Sequence, residues 1–187
     1  DRPSYIRGDS AKWMGRGDLF YGAPMNGAKA ELVVARTPTS FYPPNTDGFS
    51  TSDYAYQAEL ADRSMRQSVL ANSKVSLDAS GTATTSATLD LPGQSGPETV
   101  RCVLDVTDVS RQQVSASTSA IVHPGEHYAA LSLDSTFVEA KTKLSPKFIA
   151  VKPNGDRVVG APLKVSFIKR TWATAKQGKG ATAASRR

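Results

Sequence analysis

Phe20-Tyr21-Gly22-Ala23-Pro24-Met25-Asn26-Gly27-Ala28 runs into the apolar stretch Lys29 to Ala35, and the same punctuation returns late in the chain. There Lys152-Pro153-Asn154-Gly155-Asp156-Arg157-Val158-Val159-Gly160-Ala161-Pro162 precedes Leu163 to Ile168. Each stretch reads as a strand end, a tight turn and a Gly-Ala-Pro segment entering the next strand. The pairing predicts two small β modules in tandem.

Strand signals are short and frequent. Ser10 to Met14, Ala30 to Arg36, Lys74 to Asp78, Ala83 to Leu91, Thr99 to Thr107 and Gln113 to Val122 form the first set. In Thr99 to Thr107 the alternation puts Val100, Cys102, Leu104 and Val106 on one face. His123-Pro124-Gly125 stops that series, and a second set follows: Tyr128 to Asp134, Lys147 to Lys152 and Leu163 to Trp172. Lys152 to Asp156 fits a hairpin between the last two. Asn154-Gly155 supplies a type I′ turn, or Gly155 alone serves a longer loop. Tyr54 to Leu70 is only loosely periodic and reads as a loop with one short helical turn. The expected organisation is a first β-sandwich over residues 1–124 and a second, truncated β module over 125–187. The second module ends in a flexible basic tail, 174–187.

Thr37 to Ser52 is a separate matter. Pro38, Pro43, Pro44 and Gly48 lie among Phe41, Tyr42 and Phe49. Prolines at that density forbid a central strand. The segment reads as a long excursion packed onto the surface by its aromatics, a structural clamp.

The chain has 187 residues with 39 % hydrophobic side chains and a net charge of +6. Two domains of about 90–100 residues fit that length. The charge is uneven, because Lys176, Lys179, Arg186 and Arg187 fall in the last twelve residues with no acid among them. Removing those four leaves +2 for residues 1–175, which is no footprint for nucleic acid. No apolar run reaches the ~20 residues of a membrane-spanning helix. No signal peptide is visible, and the chain reads as a piece of something longer. The lone Cys102 excludes an internal disulfide and reads as a buried core thiol.

Groups for catalysis are missing. His123 and His127 are four apart, but Pro124 and Gly125 forbid the helix that would align them on a metal. The plain reading is two surface histidines at a domain junction. Asp105 and Asp108 read as turn-capping carboxylates. Arg7-Gly8-Asp9 and Arg16-Gly17-Asp18 match an integrin-binding tripeptide, and both read as turns. There is no nucleophile elbow and no phosphate loop. No cofactor, no metal and no enzymatic activity are expected. The one chemically suggestive stretch is the small-residue basic tail. There Lys176, Lys179, Arg186 and Arg187 would be sites for a trypsin-like protease.

Several of these stretches, in this order, resemble macroglobulin domains of bacterial α2-macroglobulin-like proteins. They are Leu19 to Ala30, the Pro-aromatic excursion Thr37 to Phe49, and Val106 to Ser115 running into Val122-His123-Pro124. Ile149 to Pro162 with Phe167 to Trp172 looks like the start of the next such domain. The resemblance covers residues 10–172. It implies an all-β chain of tandem antiparallel sandwiches of the macroglobulin or fibronectin-III kind, with seven strands in the first. It also implies a structural part in a broad-spectrum endopeptidase inhibitor, a protease trap. Its partners would be neighbouring macroglobulin domains of the same polypeptide and, through the whole protein, target proteases. The expected location is periplasmic, cell-surface or secreted, with any membrane anchor outside this segment. The family's Cys-x-Glu-Gln thioester is absent, since Val103-Leu104-Asp105 follows Cys102. Two rival readings stand beside it: Ig-like modules of a bacterial surface adhesin, and a sugar-binding sandwich using Phe41, Tyr42 and Phe49 as a coplanar platform.

Overall fold

The computed structural model describes residues 2–51, 67–108, 110–135, 137–139 and 141–169, together with the backbone of strands 173–176 and 181–184. Those residues form eleven strands and no helix. In chain order these are β1 (Ser4–Ile6), β2 (Ser10–Arg16), β3 (Lys29–Pro38), β4 (Ser68–Ser76), β5 (Thr82–Thr88) and β6 (Glu98–Thr107). They are followed by β7 (Gln113–His123), β8 (Tyr128–Ser132), β9 (Lys147–Val151), β10 (Ala173–Lys176) and β11 (Ala181–Ala184).

The first seven strands make a sandwich. One layer is a five-stranded sheet in the order β1-β7-β6-β3-β4, and the other is the antiparallel pair β2-β5. The alternation of β6 decides which side faces in: Val100, Cys102, Leu104 and Val106 are all buried, as the sequence pattern requires. Ala30, Leu32 and Val34 of β3 lie beside them, and Ala11 and Trp13 of β2 close the core from the other layer. Leu77, Leu89 and Leu91, in the connections, are almost wholly buried. Burying a side chain of that size contributes about 1.5–3 kcal/mol. The Cys102 thiol is one of these core groups, and burial pushes its pKa up, which keeps it protonated and unreactive.

The turn between β4 and β5 is tied by one carboxylate. Asp78 Oδ1 accepts from the Ser80 hydroxyl (2.6 Å), the Thr82 N–H (2.8 Å) and the Ser80 N–H (2.9 Å). The Ser80 hydroxyl, then the Thr82 N–H, hold this carboxyl below its usual range. Asp108 caps the β6–β7 turn in the same way, accepting from the Gln112 N–H at 2.8 Å.

The antiparallel sandwich carries one addition, a three-residue strand, β1, that runs parallel to the end of β7. Four sequence expectations are corrected. β4 begins at Ser68, not Lys74, because Ser68 and Val69 pair with Arg36 and Ala35 across a bulge in the β3–β4 ladder. Pro38 lies within β3, at its last position, where a missing N–H costs the ladder little. Residues 163–169 of the expected strand Leu163 to Trp172 carry no ladder, although Leu163, Val165 and Phe167 alternate and are exposed. Finally, the stretch 174–187, expected to lack structure, contains most of the antiparallel β10–β11 hairpin, with Lys176 opposite Ala181. Its Ala-Thr alternation is compatible with strand. The expected helical turn within Tyr54 to Leu70 falls largely on residues 52–66, outside the described residues.

Candidate functional site

β7 ends at His123 and β8 starts at Tyr128, and around this step the excursion Thr37 to Ser52 meets the second β set. Ser50 and Leu131 exchange both backbone hydrogen bonds, Ser50 N–H to Leu131 O at 2.8 Å and Leu131 N–H to Ser50 O at 2.9 Å. The excursion thus adds one residue of strand to the free edge of β8, whose other edge pairs with β9 from Tyr128↔Val151 to Ser132↔Lys147.

Side chains complete the clasp. Phe41 packs tilted-edge against His123 (ring centroids 4.6 Å apart) and lies 5.7 Å from Tyr128. His123 Nδ1 is 2.7 Å from the Tyr128 hydroxyl. The Arg157 guanidinium lies over the Phe49 ring at 5.5 Å and donates to Asn45 O at 2.8 Å. The turn after β9 carries the Arg. Lys152 N–H donates to Asp156 O, Gly155 N–H donates to Lys152 O, and Val151 bridges Arg157. Of the two turn readings the longer loop holds, since Gly155 alone has positive φ (+91°) and Asn154 does not. A Cβ at Gly155 would lie 2.7 Å from Pro44 O, so the turn and the excursion touch backbone to backbone.

His123 is only 2 % exposed and His127 is exposed, which corrects the reading of two surface histidines. Phe41 supplies the cover from the excursion. Burial lowers the His123 pKa and so favours the neutral ring. The Gln94 side-chain amide donates to Val122 O at 2.9 Å, and the Arg7 N–H donates to His123 O at 2.9 Å, so β7 is held firmly up to its last residue. Beside the ring opens a cleft of ≈ 500 Å³ lined by Ser4, Ile6, Phe41, Glu126, Lys152 and Asn154 among others. Tyr128→Phe removes the hydroxyl on His123. It is expected to cost about 1 kcal/mol, read as a lower thermal midpoint with unchanged far-ultraviolet dichroism.

The other sequence candidates are dispersed. Lys176 closes β10, and Lys179, Arg186 and Arg187 lie outside the described residues. The Asp9 carboxylate accepts from the Ile6 N–H and sits 3.7 Å from Arg2, and Asp18 pairs with Arg16 at 3.0 Å, so both Arg-Gly-Asp carboxylates are engaged internally. The three excursion aromatics form no platform: Phe41 and Phe49 are half-buried in separate contacts and only Tyr42 is exposed. That removes the basis of the sugar-binding reading. Among the described residues no group of three His, Cys, Asp or Glu side chains converges, and no helix is long and apolar enough to cross a membrane.

The geometry defines a class: a seven-stranded β-sandwich followed by a second β unit, joined by a backbone clasp. No protein-family model and no curated relative matches the sequence. The fold does match solved structures. Native Escherichia coli α2-macroglobulin aligns over 98 % of this chain and 12 % of its own, with TM-score 0.57 and 13 % identity. The elastase-activated E. coli protein aligns over 93 % and 14 %, with TM-score 0.58 and 14 % identity. A Salmonella α2-macroglobulin mutant aligns over 98 % and 13 %, with TM-score 0.55 and 16 % identity. The chain therefore has the all-β architecture of macroglobulin domains and spans about an eighth of the length of those proteins.

Proposed function

We propose that this chain is an architectural segment of a bacterial α2-macroglobulin-like endopeptidase inhibitor, located in the periplasm or at the cell surface. Its role is mechanical rather than catalytic. The first sandwich supplies a stiff block, and the clasp fixes the angle at which the second β unit leaves it. Cleavage elsewhere in a protease trap would be passed on by domains moving as packed bodies about such junctions. The observation that carries this reading is the extent of the structural match: 98 % of this chain aligns on native E. coli α2-macroglobulin. Neighbouring macroglobulin domains are the direct partners in this reading, and target proteases are met through the whole protein.

The test uses the full-length parent exposed to trypsin and then separated by size. The expected result is that trypsin co-elutes with the parent, cleaves a small peptide substrate and is shielded from a protein-sized trypsin inhibitor. Trypsin that elutes free, or that the large inhibitor silences, overturns the reading.

A further inference from the structure

The clasp contains one imidazole, and the architectural role makes no use of its protonation. His123 sits at the last position of β7, capped by Phe41 from the excursion and by Tyr128 from the first position of β8. It therefore touches both halves of the junction at once. A neutral imidazole can accept at Nδ1 from the Tyr128 hydroxyl. The protonated ring carries N–H on both nitrogens, so the hydroxyl must reverse and accept instead. Charge on this ring would also be held against the Phe41 ring with little water to solvate it.

We propose that the clasp is an acid-sensitive latch: protonation of His123 releases β8–β9 from the excursion while the first sandwich stays folded. This rests on the junction geometry and holds whether or not the parent traps proteases. The charged groups around the ring are few. Glu126, from the 124–127 connection, and Lys152, from the turn after β9, line the adjoining cleft. They carry opposite charges, so together they supply no net charge to hold an imidazolium. β1 contributes the uncharged Ser4 and Ile6 to that cleft, with Arg7 following it. The excursion contributes only the uncharged Phe41, and Tyr128 faces the ring from β8.

The direction follows from linkage. The ring's pKa in the docked state lies below its ordinary value of 6.5, so the docked state binds fewer protons than the open one. Docking is then fully favoured above about pH 6.5 and weakens as pH falls from there toward the lowered value, by at most a factor of about ten per pH unit for one proton.

Amide hydrogen exchange on the full chain tests this, with rates corrected for the intrinsic effect of pH. The opening constant read at Ser50 and Leu131, which bond across the junction, is expected to rise up to about tenfold per unit below about pH 6.5. Val34, Val100 and Leu104, inside the first sandwich, hold their protection. His123→Gln is expected to flatten the response at Ser50 and Leu131, and His127→Gln, at the exposed neighbour, to preserve it. A flat wild-type response, or an equal rise in the His123→Gln chain, overturns the proposal. If His123→Gln does not fold, the nuclear magnetic resonance titration of the wild-type ring decides: a midpoint at or above about 6.5 overturns it, and a lower one supports it.

Discussion

Gly155→Ala is expected to loosen the second β unit from the first by about 2–3 kcal/mol while leaving the sandwich intact. Two physical effects add. Gly155 has φ +91°, a conformation that costs a residue with a Cβ about 1–3 kcal/mol. The new Cβ would also stand 2.7 Å from the Pro44 carbonyl oxygen and 3.0 Å from both the carbonyl carbon and Cβ of Pro44. A proline ring and its backbone have little freedom to yield, and Asn45, next in line, accepts from Arg157. The turn is therefore pushed off the excursion. Gly160→Ala is the control, since Gly160 also has positive φ (+75°) but open space around it. Limited proteolysis and small-angle scattering read the result. Gly155→Ala should expose cleavage sites on either side of His123 and raise the radius of gyration, whereas Gly160→Ala should do neither.

Gly81→Ala should act on the first sandwich itself, with a loss of about 3 kcal/mol or more. Gly81 has φ +73°, and a Cβ there would meet Gly17 O at 2.5 Å, Pro24 Cβ at 3.1 Å and Met25 N at 3.2 Å. That spot is a knot of backbone bonds. Gly17 N–H donates to Gly81 O at 2.9 Å, and Met25 N–H donates to Gly17 O at 3.0 Å. Separating these turn segments also lifts Met25 and Leu77 out of the core. Gly93→Ala isolates the backbone contribution, because Gly93 shares the positive φ (+74°) and has nothing near its Cβ position. Thermal or urea denaturation should show Gly93→Ala costing about 1–2 kcal/mol and Gly81→Ala clearly more. Equal losses would mean that the close approach of Gly81 to Gly17 carries no energy.

Much of the sandwich was legible because its strands carry their own signal. The apolar patterns of β3, β6 and β7 end within two residues of the observed strands, and β6 announces the core through Val100, Cys102, Leu104 and Val106. What the sequence hid was whatever depends on a distant partner. β1 is three residues long and exists because Ser4, Tyr5 and Ile6 find Ile121, Val122 and His123 in parallel. The first half of β4 takes its register from β3, a partner distant in sequence. Leu163, Val165 and Phe167 show the opposite failure: alternation tells which face would be buried, not that a neighbouring strand lies alongside.

The candidate site was legible only in outline. The prolines of Thr37 to Ser52 marked an irregular excursion, and its density of aromatics marked a clamp. That Phe41 covers His123, or that Ser50 meets Leu131, cannot be read from local pattern, because the contacts join segments far apart in sequence. His123 beside Pro124 and Gly125 looked like a loop residue, and its burial is a tertiary fact. A buried polar ring needs a hydrogen-bond partner. Tyr128, five residues on, was in plain view and was the one signal that could have raised the question.

The most direct test of the clasp is a short covalent bridge across it. Ser50 and Leu131 form a reciprocally hydrogen-bonded antiparallel pair, whose Cα atoms stand about 5.5 Å apart. The Cβ atoms of such a pair are about 4.5–5.5 Å apart, wider than a disulfide takes, so a short bis-alkylating reagent is used to join two thiols placed there. With the buried thiol removed by Cys102→Ala, the double variant Ser50→Cys, Leu131→Cys should be bridged within the folded monomer, read by mass as one added linker and no free thiol. Two thiols that are capped separately in the folded monomer, or bridged only between molecules, would contradict the clasp and the junction built on it.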